Sequence, residues 1–132
     1  MFHLLNRLQK NNTGTATVEM AFVLPLFLLF VMGIIEFGRL YWTLNSMQLA
    51  VDEAGRYAMV HTASTDADIT TVAQANLYGL NTADFTLTSA SQITAGVTYK
   101  VITATYTFSF IASGILPFGS INLTRQTTVP LL

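Results

Sequence analysis

The chain has 132 residues, enough for one domain plus one membrane anchor, and its mean hydropathy is positive because apolar residues are concentrated near the N-terminus. Six basic and seven acidic residues leave a net charge of −1, and no cluster of lysine or arginine is present, so we expect no nucleic-acid partner. The sequence contains no cysteine, which excludes disulfides, thiolate metal sites and cysteine nucleophiles. Stability must therefore come from packing and from a membrane or a partner.

The N-terminal region has the pattern of a membrane anchor. Residues 1–13 carry Arg7 and Lys10 without an acidic residue, and the sixteen residues Met20–Ile35 are uncharged and mostly apolar. As a helix this run is roughly 24 Å long, somewhat short of a hydrocarbon core of about 30 Å. The positive-inside rule then predicts a single-pass membrane protein with the N-terminus in the cytoplasm and the rest of the chain outside it.

The helix is expected to continue past the membrane. One apolar stripe has helical spacing of three and four residues and consists of Leu40, Leu44, Met47, Val51, Ala54 and Ala58. Glu36 and Arg39, three residues apart, can pair on one face, as can Asp52 and Arg56, four apart. These four residues are interpreted as helix support and a solvated face, or alternatively as contacts with another protein.

The C-terminal half combines a short helix with strands. Thr65 or Asp66 can cap a second helix with apolar positions at Ile69, Val72, Ala73, Leu77 and Leu80. Period-two patterns over residues 84–90, 97–111 and 121–130 predict three antiparallel strands, and the alternate residues from Ile102 to Phe110 form one buried face. We therefore expect an α+β fold with the small sheet packed on the long helix. The loop 112–120 is either a contact surface or a tucked-in tip.

Glu19 stands at the entrance of the apolar run, although an acidic side chain at a helix centre in lipid costs roughly 2.5 to 3.5 kcal/mol. It could mark the helix start at the headgroups, but Ala16 cannot complete a capping box with it. An ordinary cleavable signal peptide is a second interpretation, but the run is long for that class and no small-x-small site follows it. Cleavage between Gly14 and Thr15 is a third. It would place a new ammonium group one helical turn from Glu19, in the same or a neighbouring subunit.

A short basic leader, a glycine, a glutamate five residues later and a long apolar helix resemble the signal of type IV pilin-like proteins. Residues 14–58 resemble more closely the TadE/TadG-like family of minor pilins (pseudopilins) of the tight-adherence, Flp-type pilus. The matching motifs, in chain order, are Val18-Glu19, Leu24-Pro25, Glu36-Phe37-Gly38-Arg39 and Asp52-Glu53-Ala54-Gly55-Arg56-Tyr57-Ala58. The C-terminal strand, "INLTRQTTV", is similar to that family as well, but more weakly.

The resemblance implies a minor pilin-like subunit of a Tad pilus system that supports pilus biogenesis, adhesion and secretion. Residues 1–14 would be a leader removed by a prepilin peptidase, residues 15–39 the transmembrane helix and residues 40–132 an extracytoplasmic head. Gly14 would be the last leader residue, Thr15 the mature N-terminus and Glu19 the assembly glutamate. The implied partners are the membrane, the peptidase, other pilin-like subunits and the Tad assembly machinery, and the subunit could enter an extracellular pilus.

Other function classes find little support in the residues. His3 and His61 belong to no ligand-spaced cluster, so we expect no metal, and no nucleophile–base arrangement or phosphate-binding glycine loop is present. We therefore expect no enzyme activity, no cofactor and no small-molecule substrate.

Pro25 either kinks the helix harmlessly or allows it to bend into a filament. The alternative function is an uncleaved, membrane-anchored binding module whose head recognises a surface through the loop 112–120.

Overall fold

The computed structural model describes residues 13–114 and 119–131. Its elements are the helices α1 (Thr13–Val60) and α2 (Asp66–Ala75), the strands β1 (Phe85–Thr94), β2 (Val97–Ser109) and β3 (Ser120–Pro130), and 3₁₀ turns at Thr82–Asp84 and Ile111–Gly114. This arrangement confirms the predicted α+β fold. The chain divides into two compact units, Met1–Glu36 and Phe37–Leu132, and the second is called the head below. The predicted leader residues 1–12 and the loop residues 115–118 lie outside the described part.

The first unit contains the apolar part of α1. Its most apolar 18-residue window has a mean hydropathy of 2.5, and none of that window is buried within the protein. Within the described residues, α1 is the one helix long and apolar enough to cross a membrane. It continues through Pro25, although proline cannot donate the backbone hydrogen bond to the carbonyl of Ala21. Long apolar side chains left uncovered by the protein itself are the property expected of a lipid-facing helix.

The head contains an antiparallel sheet in the order β1-β2-β3. β1 and β2 are joined by the two residues Ala95 and Gly96, with φ of 51° and 81°. Two positive φ angles in a two-residue loop are typical of the type I′ turn, whose twist matches that of a hairpin. This turn allows β1 to extend to Thr94, four residues beyond the predicted strand.

The core lies between the sheet and the C-terminal part of α1. The predicted helical stripe is confirmed, since Met47, Val51, Ala54 and Ala58 are fully buried. The predicted alternation in β2 is confirmed as well: four consecutive inward positions are buried, namely Ile102, Ala104, Tyr106 and Phe108. Because one face of each element is apolar and neither can bury that face alone, the two faces pack together.

The second helix is shorter than the sequence predicted. Thr65 is its N-cap and forms a reciprocal capping box with Asp68, which fixes the start. The helix ends at Ala75, so Leu77 and Leu80 are not on it, which corrects the prediction. Asn76 terminates the helix instead: its backbone N–H donates to the Ala73 carbonyl and its side chain donates to the Val72 carbonyl at 2.9 Å, while the N–H of Leu77 donates to the Gln74 carbonyl.

Candidate functional site

The residues predicted to govern processing and assembly lie in the first turns of α1. Gly14, Thr15 and Glu19 are all exposed, and no hydrogen bond or ion pair to the Glu19 carboxylate is found among the described residues. Thr15 and Glu19 are four residues apart in this helix, so they lie one above the other on the same face. Pro25 lies a little under two turns beyond Glu19, within the exposed apolar segment.

The Arg39 side chain contacts the C-terminal end of strand β2. Its Nη2 atom donates to the backbone carbonyl of Ser109 at 3.5 Å, and its guanidinium lies 5.0 Å from the centroid of the Phe108 ring. A cation over an aromatic face is worth about 0.5 to 1 kcal/mol at an exposed site. Glu36, the other member of the predicted pair, is only 6% exposed. Arg39 therefore has contacts with the end of β2 that its sequence neighbourhood could not reveal.

The second predicted pair is arranged differently from the prediction. The Nη1 atom of Arg56 contacts Glu53 Oε1 at 3.4 Å, while Asp52 accepts a hydrogen bond from Gln48 Nε2 at 3.0 Å. Arg56 thus pairs three residues back rather than four, with Glu53 rather than with Asp52. The Arg56 side chain is largely exposed, so this ion pair contributes little to stability.

Trp42 joins α1 to the turn at Tyr78, a segment distant in sequence. Trp42 Nε1 and the Ser46 hydroxyl both donate to the backbone carbonyl of Tyr78, at 3.3 Å and 3.1 Å. These three residues, with Asn45 and Leu49, line a hollow of about 220 Å³. The following residue, Gly79, has φ of +71°, which permits the tight turn that presents the Tyr78 carbonyl. Sequence reasoning missed Tyr78, which is 36 residues from Trp42 along the chain.

Gly55 is a second residue that sequence reasoning did not single out. A Cβ atom at this position would lie 3.0 Å from both Thr127 Cγ2 and Val129 Cγ1 on β3. Gly55 therefore permits the close approach of α1 to the sheet. The available signal was a glycine between Ala54 and Ala58, in the buried stripe, where a helix would otherwise favour alanine.

The head shows little that resembles a reactive centre in its described residues. Within residues 13–114 and 119–131, no three His, Asp or Glu side chains are grouped so as to hold a metal ion. His61 stacks on Tyr57 with ring centroids 4.2 Å apart, and its Nδ1 lies 3.1 Å from the Tyr57 carbonyl. Hydrogen bonds from Thr65 lower the pKa of the exposed Asp68, the side-chain hydroxyl having the largest effect and the backbone N–H the next. That shift belongs to a helix cap and thus to local stability.

Comparison with known proteins identifies one region of the chain. Residues 14–56 match the model of a family described as TadE-like protein. No curated protein and no solved structure gives a significant match. The matched region contains Glu19, the apolar run and the Asp52–Arg56 segment. Residues 14–56 are thus similar to the TadE-like family, in agreement with the resemblance found in the sequence motifs.

Proposed function

We propose that the protein is a structural, non-enzymatic subunit of a Tad pilus assembly system, a minor pilin-like protein anchored in the inner membrane with its head outside the cytoplasm. The observation that carries the proposal is the exposed apolar segment of α1 that follows Glu19. It supports a role in which lipid or other helices cover this segment. The TadE-like match over residues 14–56 supports the Tad system as the context.

Glu19 is the residue through which assembly would be controlled. A carboxylate in lipid is costly, and a cation nearby offsets that cost. Removal of residues 1–14 by a prepilin peptidase would supply such a cation as the α-amino group of Thr15. Because Thr15 and Glu19 share a helix face one turn apart, the ammonium group is within reach of the carboxylate in the same chain or in an adjacent one. Glu19 would then set the register of the subunit in the assembly.

The first experiment is to determine the N-terminal residue of the protein purified from its native membrane, by intact mass, with and without the peptidase. The proposal predicts Thr15 at the N-terminus when the peptidase is present and Met1 when it is absent. Met1 in both samples would contradict the processing step and favour an uncleaved, membrane-anchored binding module.

The assembly role has its own test. Glu19→Gln keeps the side-chain shape but removes the charge, so carbonate-resistant membrane insertion is expected to persist while incorporation into the pilus fraction is lost. Glu53→Gln is the matched control, because Glu53 is a glutamate on the same helix whose side chain is only partly exposed and pairs with Arg56. Normal incorporation of the Glu19→Gln protein would contradict the assembly role.

A further inference from the structure

Several exposed hydrophobic side chains lie at the end of the head where the chain enters it. We define the aromatic rim as Phe37, Tyr41, Trp42, Tyr78 and Ile111, each more than half exposed. Phe37, Tyr41 and Trp42 lie on α1, in the first six residues of the head. The rim thus combines residues from three segments that are distant in sequence.

Hydrogen bonds show that the three segments converge. The carbonyl of Tyr78 accepts from Trp42 and Ser46, which fixes the Tyr78 turn beside α1. The carbonyl of Ser109 accepts from Arg39, and Ile111 follows Ser109 by two residues. Tyr78 and Ile111 are therefore both brought to the part of α1 that contains Arg39 and Trp42.

Residue counting relates the rim to the membrane. A hydrocarbon core of about 30 Å requires about 20 helical residues. The uncharged run Met20–Ile35 supplies sixteen, and four more residues take the count to Arg39. Tyr41 and Trp42 then fall at the level of the headgroups, where tyrosine and tryptophan are enriched because each has an apolar ring and a polar group.

Two charged residues, Glu36 just before Phe37 and Arg39 between Phe37 and Tyr41, would oppose this placement if they were fully exposed to lipid. Glu36 is only 6% exposed. The Arg39 guanidinium contacts the Phe108 ring and the Ser109 carbonyl, and a long arginine side chain near a helix end can also extend toward the interface. The sequence count, the burial of Glu36 and the contacts of Arg39 thus agree.

We infer that the aromatic rim binds the phospholipid interface of the membrane in which α1 is anchored, so that the head lies against the lipid surface. The rim itself contains no charged side chain, which suits the interfacial region rather than a charged protein partner. Tyr78 contributes its side chain to the lipid while its carbonyl holds the turn in place. The inference rests on the membrane anchoring that the proposed function requires.

The absence of cysteine allows a direct test with labels at single sites. The full-length protein is reconstituted into vesicles of phosphatidylethanolamine and phosphatidylglycerol as Tyr78→Cys, Ile111→Cys and Ile93→Cys, each labelled with an environment-sensitive fluorophore. Ile93 is the matched control, because it is an exposed residue paired with Thr98, eleven residues from Ser109 and thus about 36 Å away along β2. Tyr78 and Ile111 are exposed, so labelling them preserves the core.

The inference predicts that aqueous iodide quenches the labels at 78 and 111 severalfold less than the label at 93, and that brominated lipids quench only the first two. Equal iodide quenching at all three sites would overturn it. Protection of 78 and 111 that disappears as the protein-to-lipid ratio falls would also overturn it, because a second copy of the chain would then be the occupant. Failure of the protein to float with the vesicles would instead contradict the anchoring itself.

Discussion

Gly55→Ala tests how closely α1 approaches the sheet. In an exposed helix interior, replacing glycine by alanine stabilises by roughly 1 kcal/mol. At Gly55 the added methyl group would lie 3.0 Å from Thr127 Cγ2 and Val129 Cγ1, and both neighbours are β-branched residues with restricted χ1 rotamers. Overpacking of this kind costs about 1 to 3 kcal/mol. The two effects together predict a protein that is less stable by about 0 to 2 kcal/mol.

Shortening the two neighbouring side chains should reverse the effect of Gly55→Ala on the free energy of unfolding. Thr127→Ser and Val129→Ala remove the two methyl groups that the new Cβ would meet, so Gly55→Ala is expected to stabilise the doubly substituted protein by up to about 1 kcal/mol.

The assay is urea unfolding of the full chain in detergent micelles, followed by the fluorescence of Trp42, the single tryptophan. A difference of 1 kcal/mol corresponds to about 4 to 8 °C in the melting temperature of a domain of 60 to 100 residues, so thermal unfolding provides a second measure. The close-packing argument would be refuted if Gly55→Ala stabilised the natural background as much as the doubly substituted one.

Three further predictions concern the head. Ile102→Ala removes a fully buried side chain and should lower the free energy of unfolding by about 2 to 5 kcal/mol, whereas Ile93→Ala, at an exposed position, should change it by less than about 0.5 kcal/mol in urea unfolding. Ala95→Asn should raise the melting temperature, since asparagine tolerates the positive φ of a type I′ turn better than alanine; an unchanged or lower value would count against that turn. The pKa of Asp68 is lowered by Thr65, so the cap stabilises the fold above the ordinary aspartate pKa of about 3.9, and this contribution is lost as the pH falls through the lower, folded-state pKa. Asp68→Asn should therefore reduce the drop in melting temperature on acidification, and an unchanged drop would contradict the assignment.

Local patterns in the sequence predicted most of the fold because the relevant physics is local. The three- and four-residue spacing from Leu40 to Ala58 and the alternation from Ile102 to Phe110 each describe one amphipathic face, and both faces are buried except at their ends, where Leu40, Leu44 and Phe110 are partly buried. The start of α2 was predictable because a capping residue such as Thr65 acts within one turn. Its end was not, since Leu77 continues the apolar spacing and is buried, but from the turn that follows the helix.

The sites were less predictable because their contacts join distant segments. Nothing near Trp42 in the sequence indicates that its indole donates to Tyr78, and nothing near Arg39 indicates the Phe108 ring. Gly55 looks like a weak point in a helix until the positions of Thr127 and Val129 are known. The hairpin at Ala95 was missed for a different reason, because alanine is not a residue that signals a positive φ.

The charged residues along α1 differ in whether the described part of the chain supplies them with a partner, and this difference points to Glu19 as the residue to test for a role in assembly. Arg39 contacts the end of β2 and Arg56 pairs with Glu53, so these charges are accommodated by the folded chain itself. Glu19 differs, because the described residues offer its carboxylate no partner although sixteen uncharged residues follow it. A carboxylate in that position gains most from a cation that arrives later, by cleavage or from a neighbouring subunit. For this reason a change at Glu19 should affect assembly and leave the stability of the head unaltered, whereas changes at Gly55 should do the reverse.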